Sequence, residues 1–318
     1  MCVSYGVLYA ERLSVELGVG LSLAQRERIQ RIDSLYEIFN VSYPPSLSDI
    51  DFGTKQGIRL TGGLDFRNWG RLEGVFEGRG EWKRRYDFMR FVPVILPGSF
   101  TPIIDPQSLL ASDLIVQATL DSFEASIWKH VMSYIDDDAF LFSWLFGIRG
   151  VRFFDHVRLI LSFPFPSLPY PSFVFKKEEE EDFLSITCLN DLLGFQAGGE
   201  IRGFFQKHIC WGMQCKFGVY ANSAQKETIL YIFDFGNFYD YTHKRKFREI
   251  HIAGAFEWNS FLRFFWKPIF FQVSYRIFIL LGPAVAAFQI KPQRNSNAIY
   301  YHDGLYFQLT ALEVGINF

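Results

Sequence analysis

The side chains able to do chemistry are scattered in this sequence. Six histidines (His130, His156, His208, His243, His251 and His302) stand far apart, each read as a strand or loop residue rather than a ligand. Four cysteines (Cys2, Cys188, Cys210 and Cys215) form no C-x-x-C pair, and the Cys210–Cys215 spacing suits no zinc ribbon. The triplet Asp136-Asp137-Asp138 reads as a polar turn, because the spacing of a calcium loop is missing. There is no G-x-S-x-G, no H-E-x-x-H and no Walker loop. The pairs Gly18/Gly20 and Gly78/Gly80 do not continue into a dinucleotide fingerprint. The sequence therefore predicts no catalytic, cofactor-binding or metal-binding residues, and the chain is read as something other than an enzyme. A formal net charge of −2 gives no electrostatic case for nucleic acid.

The remaining polar residues recur at every second position, opposite apolar ones. These sets are Arg59 and Asp65; Arg71, Glu73, Glu77, Arg79, Glu81 and Lys83; Gln196, Glu200 and Arg202; Gln214 and Lys216; and Arg276. Charge at this density fits the lumen of a wide barrel, where it either screens solutes by charge and size or closes the lumen by ion pairing.

The elements that carry these sets read as strands. Alternation runs through Ile58–Phe66, Arg71–Lys83, Phe195–Phe205 and Trp211–Asn222, and more weakly through Ile250–Trp258 and Phe271–Leu280. It persists for nine to twelve residues, about what a tilted strand needs to cross a bilayer. Aromatic residues make up 18% of the chain, which favours strands and interfacial belts. Pro268–Phe288 is long enough for a membrane helix, but Gln272, Ser274 and Arg276 at period two read as a strand. The chain closes on QLTALEVGINF, where Leu312, Val314, Ile316 and Phe318 share one face of a last strand that meets the first.

The first strand is expected near residues 1–10, with a loop or short helix over 11–55; helical spacing competes only at Arg26–Phe39. No signal peptide is visible, so either the start is truncated or the chain is not exported. Phe91–Pro106, Phe163–Pro171, Lys176–Asp182 and the basic Tyr239–Arg248 read as connections.

Several stretches resemble the outer-membrane β-barrel porin-7 family, related to the Legionella-type pore-forming outer-membrane proteins. They are Gly57–Glu73 with Val75–Trp82, then Phe123–Ser126 with Leu145–Arg152, then Asn190–Gly199 with Lys216–Asn222. Val273–Gln289 and Tyr301-His302-Asp303-Gly304 complete the likeness, which covers residues 50–318. The resemblance implies a barrel in the outer membrane of a Gram-negative bacterium, pore activity, no catalytic residues, and a terminal aromatic read by the barrel-assembly machinery.

The expectation is a single all-β domain over 1–318. It is a closed antiparallel transmembrane barrel of roughly 12 strands with long loops on one side, surrounded by outer-membrane lipid and able to form a homo-oligomer. Its expected function is passive diffusion of small hydrophilic solutes or a structural surface role. The alternatives are a soluble all-β ligand-binding protein, an outer-membrane enzyme, and a plugged barrel or decayed gene product. A membrane barrel is apolar outside and polar inside; a soluble one is the reverse.

Overall fold

The computed structural model describes residues 13–26, 53–66, 70–91, 109–133, 140–162, 182–205, 208–234, 239–289, 299 and 301–318. Eleven strands run in chain order: β1 (Leu13–Arg26), β2 (Thr54–Phe66), β3 (Gly70–Arg79), β4 (Trp82–Phe91), β5 (Leu109–Ser133), β6 (Phe140–Ser162), β7 (Asp182–Phe205), β8 (Ile209–Asp234), β9 (Tyr239–Trp266), β10 (Ile269–Leu281) and β11 (Leu305–Asn317). All the pairings between these strands are antiparallel. β11 pairs with β1, Glu16 opposite Asn317, and β3 pairs with β5, so ten strands form a closed circuit. Closure removes the unpaired edges that an open sheet exposes.

β4 lies outside that circuit and prolongs β3 along β5. Glu77 faces Ser122 and Trp82 faces Ala118, so five steps on one side match four on the other. The extra residue falls in the Gly78–Glu81 break, a β-bulge that reverses which parity points inward. Among the described residues there are eleven strands, ten of them in the circuit, against the roughly 12 expected.

The start of β1, the end of β11 and the β2–β3, β7–β8 and β9–β10 turns share one end; the connections after β1, β4 and β6, which leave from the other end, are much longer. β5 to β9 hold 25, 23, 24, 26 and 28 residues, more than twice what a bilayer crossing needs, and they project on the long-loop side.

The outward face is apolar near the short-turn end. Leu17, Val19, Leu21 and Leu23 of β1, Phe146 and Ile148 of β6, and Val273 of β10 are all exposed. Phe195 and Ile252 are 77% and 81% exposed, which in water would be a large unfavourable surface. Arg59, Glu77, Glu200, Glu257 and Arg276 are buried on the inward face. Apolar outside and charged inside is the arrangement of a membrane-spanning barrel and the reverse of a soluble one. On β6 and β7 the belt gives way to an exposed Arg152–Asp191 ion pair, and the strands beyond it carry mixed polar faces.

Two expectations are corrected here. The first described strand is Leu13–Arg26, inside the span expected as a loop; residues 1–10 and most of Arg26–Phe39 lie outside the described residues. The basic stretch Tyr239–Arg248 is the start of β9, paired with β8 through Asp234, rather than a loop. Its charges fall on both faces, which hides the alternation. Nearly all of Phe91–Pro106, Phe163–Pro171 and Lys176–Asp182, together with Asp136–Asp138 and Cys2, lies outside the described residues.

Candidate functional site

The lumen changes chemistry along its axis, and three levels follow one another from the short-turn end. At the first level, Arg263 of β9 binds Glu16 of β1 at 2.8 Å and donates from Nε to Gln272 Oε1 of β10 at 2.8 Å. Arg71 pairs with Glu73 and approaches Glu200 at 4.0 Å, while Arg202 and Gln214 both engage Glu200. Asn259 donates to Gln214 Oε1 at 3.1 Å. The space left among these groups is a cleft of about 30 Å³, room for one or two waters.

The second level is a continuous ion-pair lattice. Glu77 receives Arg276 Nη1 at 2.7 Å, Arg79 Nη2 at 3.0 Å and Arg59 Nη1 at 3.9 Å. Arg149 Nη1 lies 2.6 Å from Glu257, and Lys216 Nζ bridges Glu124 at 2.8 Å and Glu257 at 3.6 Å. Ser126 donates to Glu124 at 2.7 Å, and Gln196 donates to Ser126 at 3.2 Å. Arg59 also reaches Glu313 at 3.5 Å, which accepts a bond from Thr61. Such side chains are held inside because each meets an opposite charge; removing one partner leaves a buried charge uncompensated.

The third level is apolar. Phe307 of β11 contacts Trp82, Phe153 and Phe278, with ring centroids 6.1, 6.0 and 6.1 Å away. Arg149 stacks over Phe278 at 4.6 Å and Arg26 over Phe153 at 5.2 Å, so cations cap the aromatic layer. Leu114, Val116, Val157 and Ile186 continue this core into the projecting strands.

The β10–β11 connection is folded into this core. Gly282, at φ +74°, turns the chain inward. Ala284, Val285 and Ala286 are then fully buried. Asn190 of β7 holds Ala284 at both backbone groups: Nδ2 donates to Ala284 O at 2.8 Å, and Oδ1 accepts from Ala284 N at 2.8 Å. Asn222 Nδ2 donates to the same Oδ1 at 3.0 Å. Asp155 accepts from Ala286 N at 2.8 Å and is itself gripped by Arg26 at 2.6 Å. At the rim His251 Nε2 donates to Gly282 O at 2.6 Å and its ring packs on Tyr301.

Of the residues expected to line a pore, Arg59, Arg71, Glu73, Glu77, Arg79, Gln196, Glu200, Arg202, Gln214, Lys216 and Arg276 all face this interior. Asp65 sits near the short-turn mouth, 3.7 Å from His130. Glu81 and Lys83 do not belong to the set. The bulge puts Glu81 in an exposed break and turns Lys83 outward, bringing Trp82, expected on the lipid face, into the core. Leu312, Val314, Ile316 and Phe318 lie exposed on the outward face of β11 and its end. Glu16, Glu124, Arg149, Glu257, Arg263 and Glu313 were not anticipated, although the same alternation marks them. Asn190 and Asp155 carry no such signal, because their partners are backbone groups more than 90 residues away. Among the described residues, no three His, Cys, Asp or Glu side chains converge as a metal site.

No family model matches the chain, and no characterised protein matches it in sequence, so the porin-7 resemblance gains no support from either comparison. Solved structures do match in architecture. The outer-membrane protease OmpT of Escherichia coli aligns over 96% of both chains at TM-score 0.42 and 9% identity. Ail, the attachment invasion locus protein of Yersinia pestis, aligns over 96% of this chain and 99% of its own at TM-score 0.29 and 7% identity. A Pseudomonas aeruginosa FadL homologue aligns over 96% and 90% at TM-score 0.24 and 8% identity. These neighbours correct the expectation that the chain is not an enzyme: they include a protease beside an attachment protein, and the barrel itself does not separate those roles. The closed antiparallel circuit, with its apolar outward belt and charged interior, makes the chain a transmembrane β-barrel.

Proposed function

We propose that this chain is an outer-membrane barrel held closed to passive solute flow, serving as a surface or structural protein through its projecting strands. The observation that supports it most is the burial of Ala284–Ala286 above an ion-paired lumen whose carboxylates each meet at least one cation. A solute crossing this path must part several buried ion pairs, each costing about 3–5 kcal/mol when one partner is left alone. Outer-membrane lipid covers the apolar belt, and the exposed aromatic end of β11 is what the barrel-assembly machinery reads. The second reading is a porin-like channel for small hydrophilic solutes, favoured by the density of charge inside; it requires the inserted segment to leave. Planar-bilayer recording of refolded protein, its folding checked by heat-modifiable gel mobility, separates the two. Silence supports the closed barrel. Discrete steps that change when Arg79 and Arg202 are charge-reversed would sink it in favour of the channel.

A further inference from the structure

The outward face of β9 changes abruptly from apolar to basic. Side chains on a strand alternate between faces, so Thr242, Lys244, Lys246, Arg248, Ile250 and Ile252 share the outward one. Ile250 and Ile252 are strongly exposed belt residues, and Lys244, Lys246 and Arg248 beyond them are exposed too. From Ile250 to Phe264 the strand runs about 46 Å, or about 33 Å of depth at a tilt of about 45°. That matches a hydrocarbon core of about 30 Å. Trp266, 80% exposed, then stands at the headgroup level of the short-turn side. Arg248 is the first outward residue at the headgroup level of the long-loop side.

These charges are held at a fixed height, because β8 and β9 stay paired beyond them, as far as Asp234 opposite Tyr239. They are also poorly matched by carboxylates. Elsewhere on the outward face Arg152 pairs with Asp191 and Arg85 with Asp113. On β9, among the described side chains, three cations share one carboxylate: Glu227 stands opposite Lys246 but pairs with Lys244. Arg248 donates from Nε to Ser223 Oγ at 3.0 Å, which leaves its terminal nitrogens for an acceptor from outside. β10 ends opposite Gly254, so no described strand covers the far side of this row. Charge on a free strand edge also discourages pairing with other chains. That role does not fix where the outward set begins, one step beyond the belt.

We propose that Lys244, Lys246 and Arg248 bind the phosphate groups of anionic lipid in the leaflet on the long-loop side. Outward neighbours on a strand stand about 7 Å apart, so a phosphate between two of them meets both side chains. Arg248 serves as a two-pronged donor and Lys246 as a point charge. The apolar chains of the same lipid lie along Ile250 and Ile252, a contact that a free phosphate ion does not make. The site is on the outside of the barrel and works the same with the lumen open or closed.

The test uses the full chain refolded in mixed micelles of phosphatidylcholine and phosphatidylglycerol, with retained lipid read by mass spectrometry of the intact barrel. Phosphatidylglycerol is expected to be retained well above its share of the mixture. A basic residue beside an anionic headgroup is worth a factor of about five. Lys246→Gln combined with Arg248→Gln is therefore expected to weaken that retention about 25-fold. Heat-modifiable mobility checks folding, and if the double variant does not fold, either single substitution carries the test at about fivefold. Arg245→Gln removes the same charge from the other face of β9 and is expected to leave retention unchanged. Equal retention of the two lipids, or a loss in Arg245→Gln as large as in the row variants, would overturn the proposal. Displacement of the retained lipid by inorganic phosphate at constant ionic strength would overturn it too, by assigning the row to a free anion.

Discussion

Replacing Asn190 by alanine is expected to release the inserted segment without dissolving the barrel. Asn190 is fully buried, and its amide serves three short hydrogen bonds: two to the backbone of Ala284 and one from Asn222. The substitution strands Ala284 N–H, Ala284 C=O and one Asn222 donor in an interior already closed to solvent. A buried polar group left without its partner costs about 1–3 kcal/mol. Three such groups, sharing some relaxation, cost about 3–6 kcal/mol. At about 1.4 kcal/mol per tenfold, opening of the segment becomes more frequent by roughly two to four orders of magnitude. Amide hydrogen exchange at Val285 and Ala286 in folded, heat-modifiable protein reads this directly. Asn190→Asp keeps the acceptor but sets a carboxylate against Ala284 O, and an intermediate effect is expected. Unchanged protection of these amides in folded Asn190→Ala would refute the assignment of Asn190 as the clamp.

Further expectations concern the other levels. Phe307→Ala removes the ring that joins Trp82, Phe153 and Phe278, and a loss of about 3–5 kcal/mol is expected in denaturant titration. Val314→Lys places a charge on the lipid face of β11; a cost of up to about 2–4 kcal/mol is expected in lipid, and much less in short-chain detergent. His156, on the projecting part of β6, accepts or donates a bond at Thr187 and is held below its ordinary value by burial. Its neutral form is favoured in the folded state, so its contribution is full above about pH 6.5 and is lost as the pH falls through that value, where the unfolded chain takes up the proton. A His156→Gln variant is expected to flatten the acid side of the stability profile, measured by melting temperature from pH 7.5 to 5.

Much of the barrel was legible because period two fixes which residues share a face. Arg59, Glu77, Glu200 and Arg276 could be placed together without knowing a single contact. What alternation cannot say is which face meets lipid and which meets the core. Trp82 shows the first failure: one extra residue in Gly78–Glu81 reverses parity, and nothing in Gly-Arg-Gly-Glu counts it. Val116 and Ala118 show the second, since beyond the bilayer an inward apolar residue is indistinguishable in sequence from an outward one within it. β9 shows a third, where Lys244, Arg245, Lys246 and Arg248 put charge on both faces and erase the strand signal. The clamp at Asn190 was out of reach, because its meaning depends on a backbone segment brought in from Ala284.

The position of that segment in the chain ties permeability to biogenesis. Ala284–Ala286 belong to the connection of the last hairpin, and β11 is the strand that meets β1. Seating the segment and zipping the seam are therefore completed by the same stretch of polypeptide. A defect in placing β11 would therefore disturb the seam and the inserted segment together.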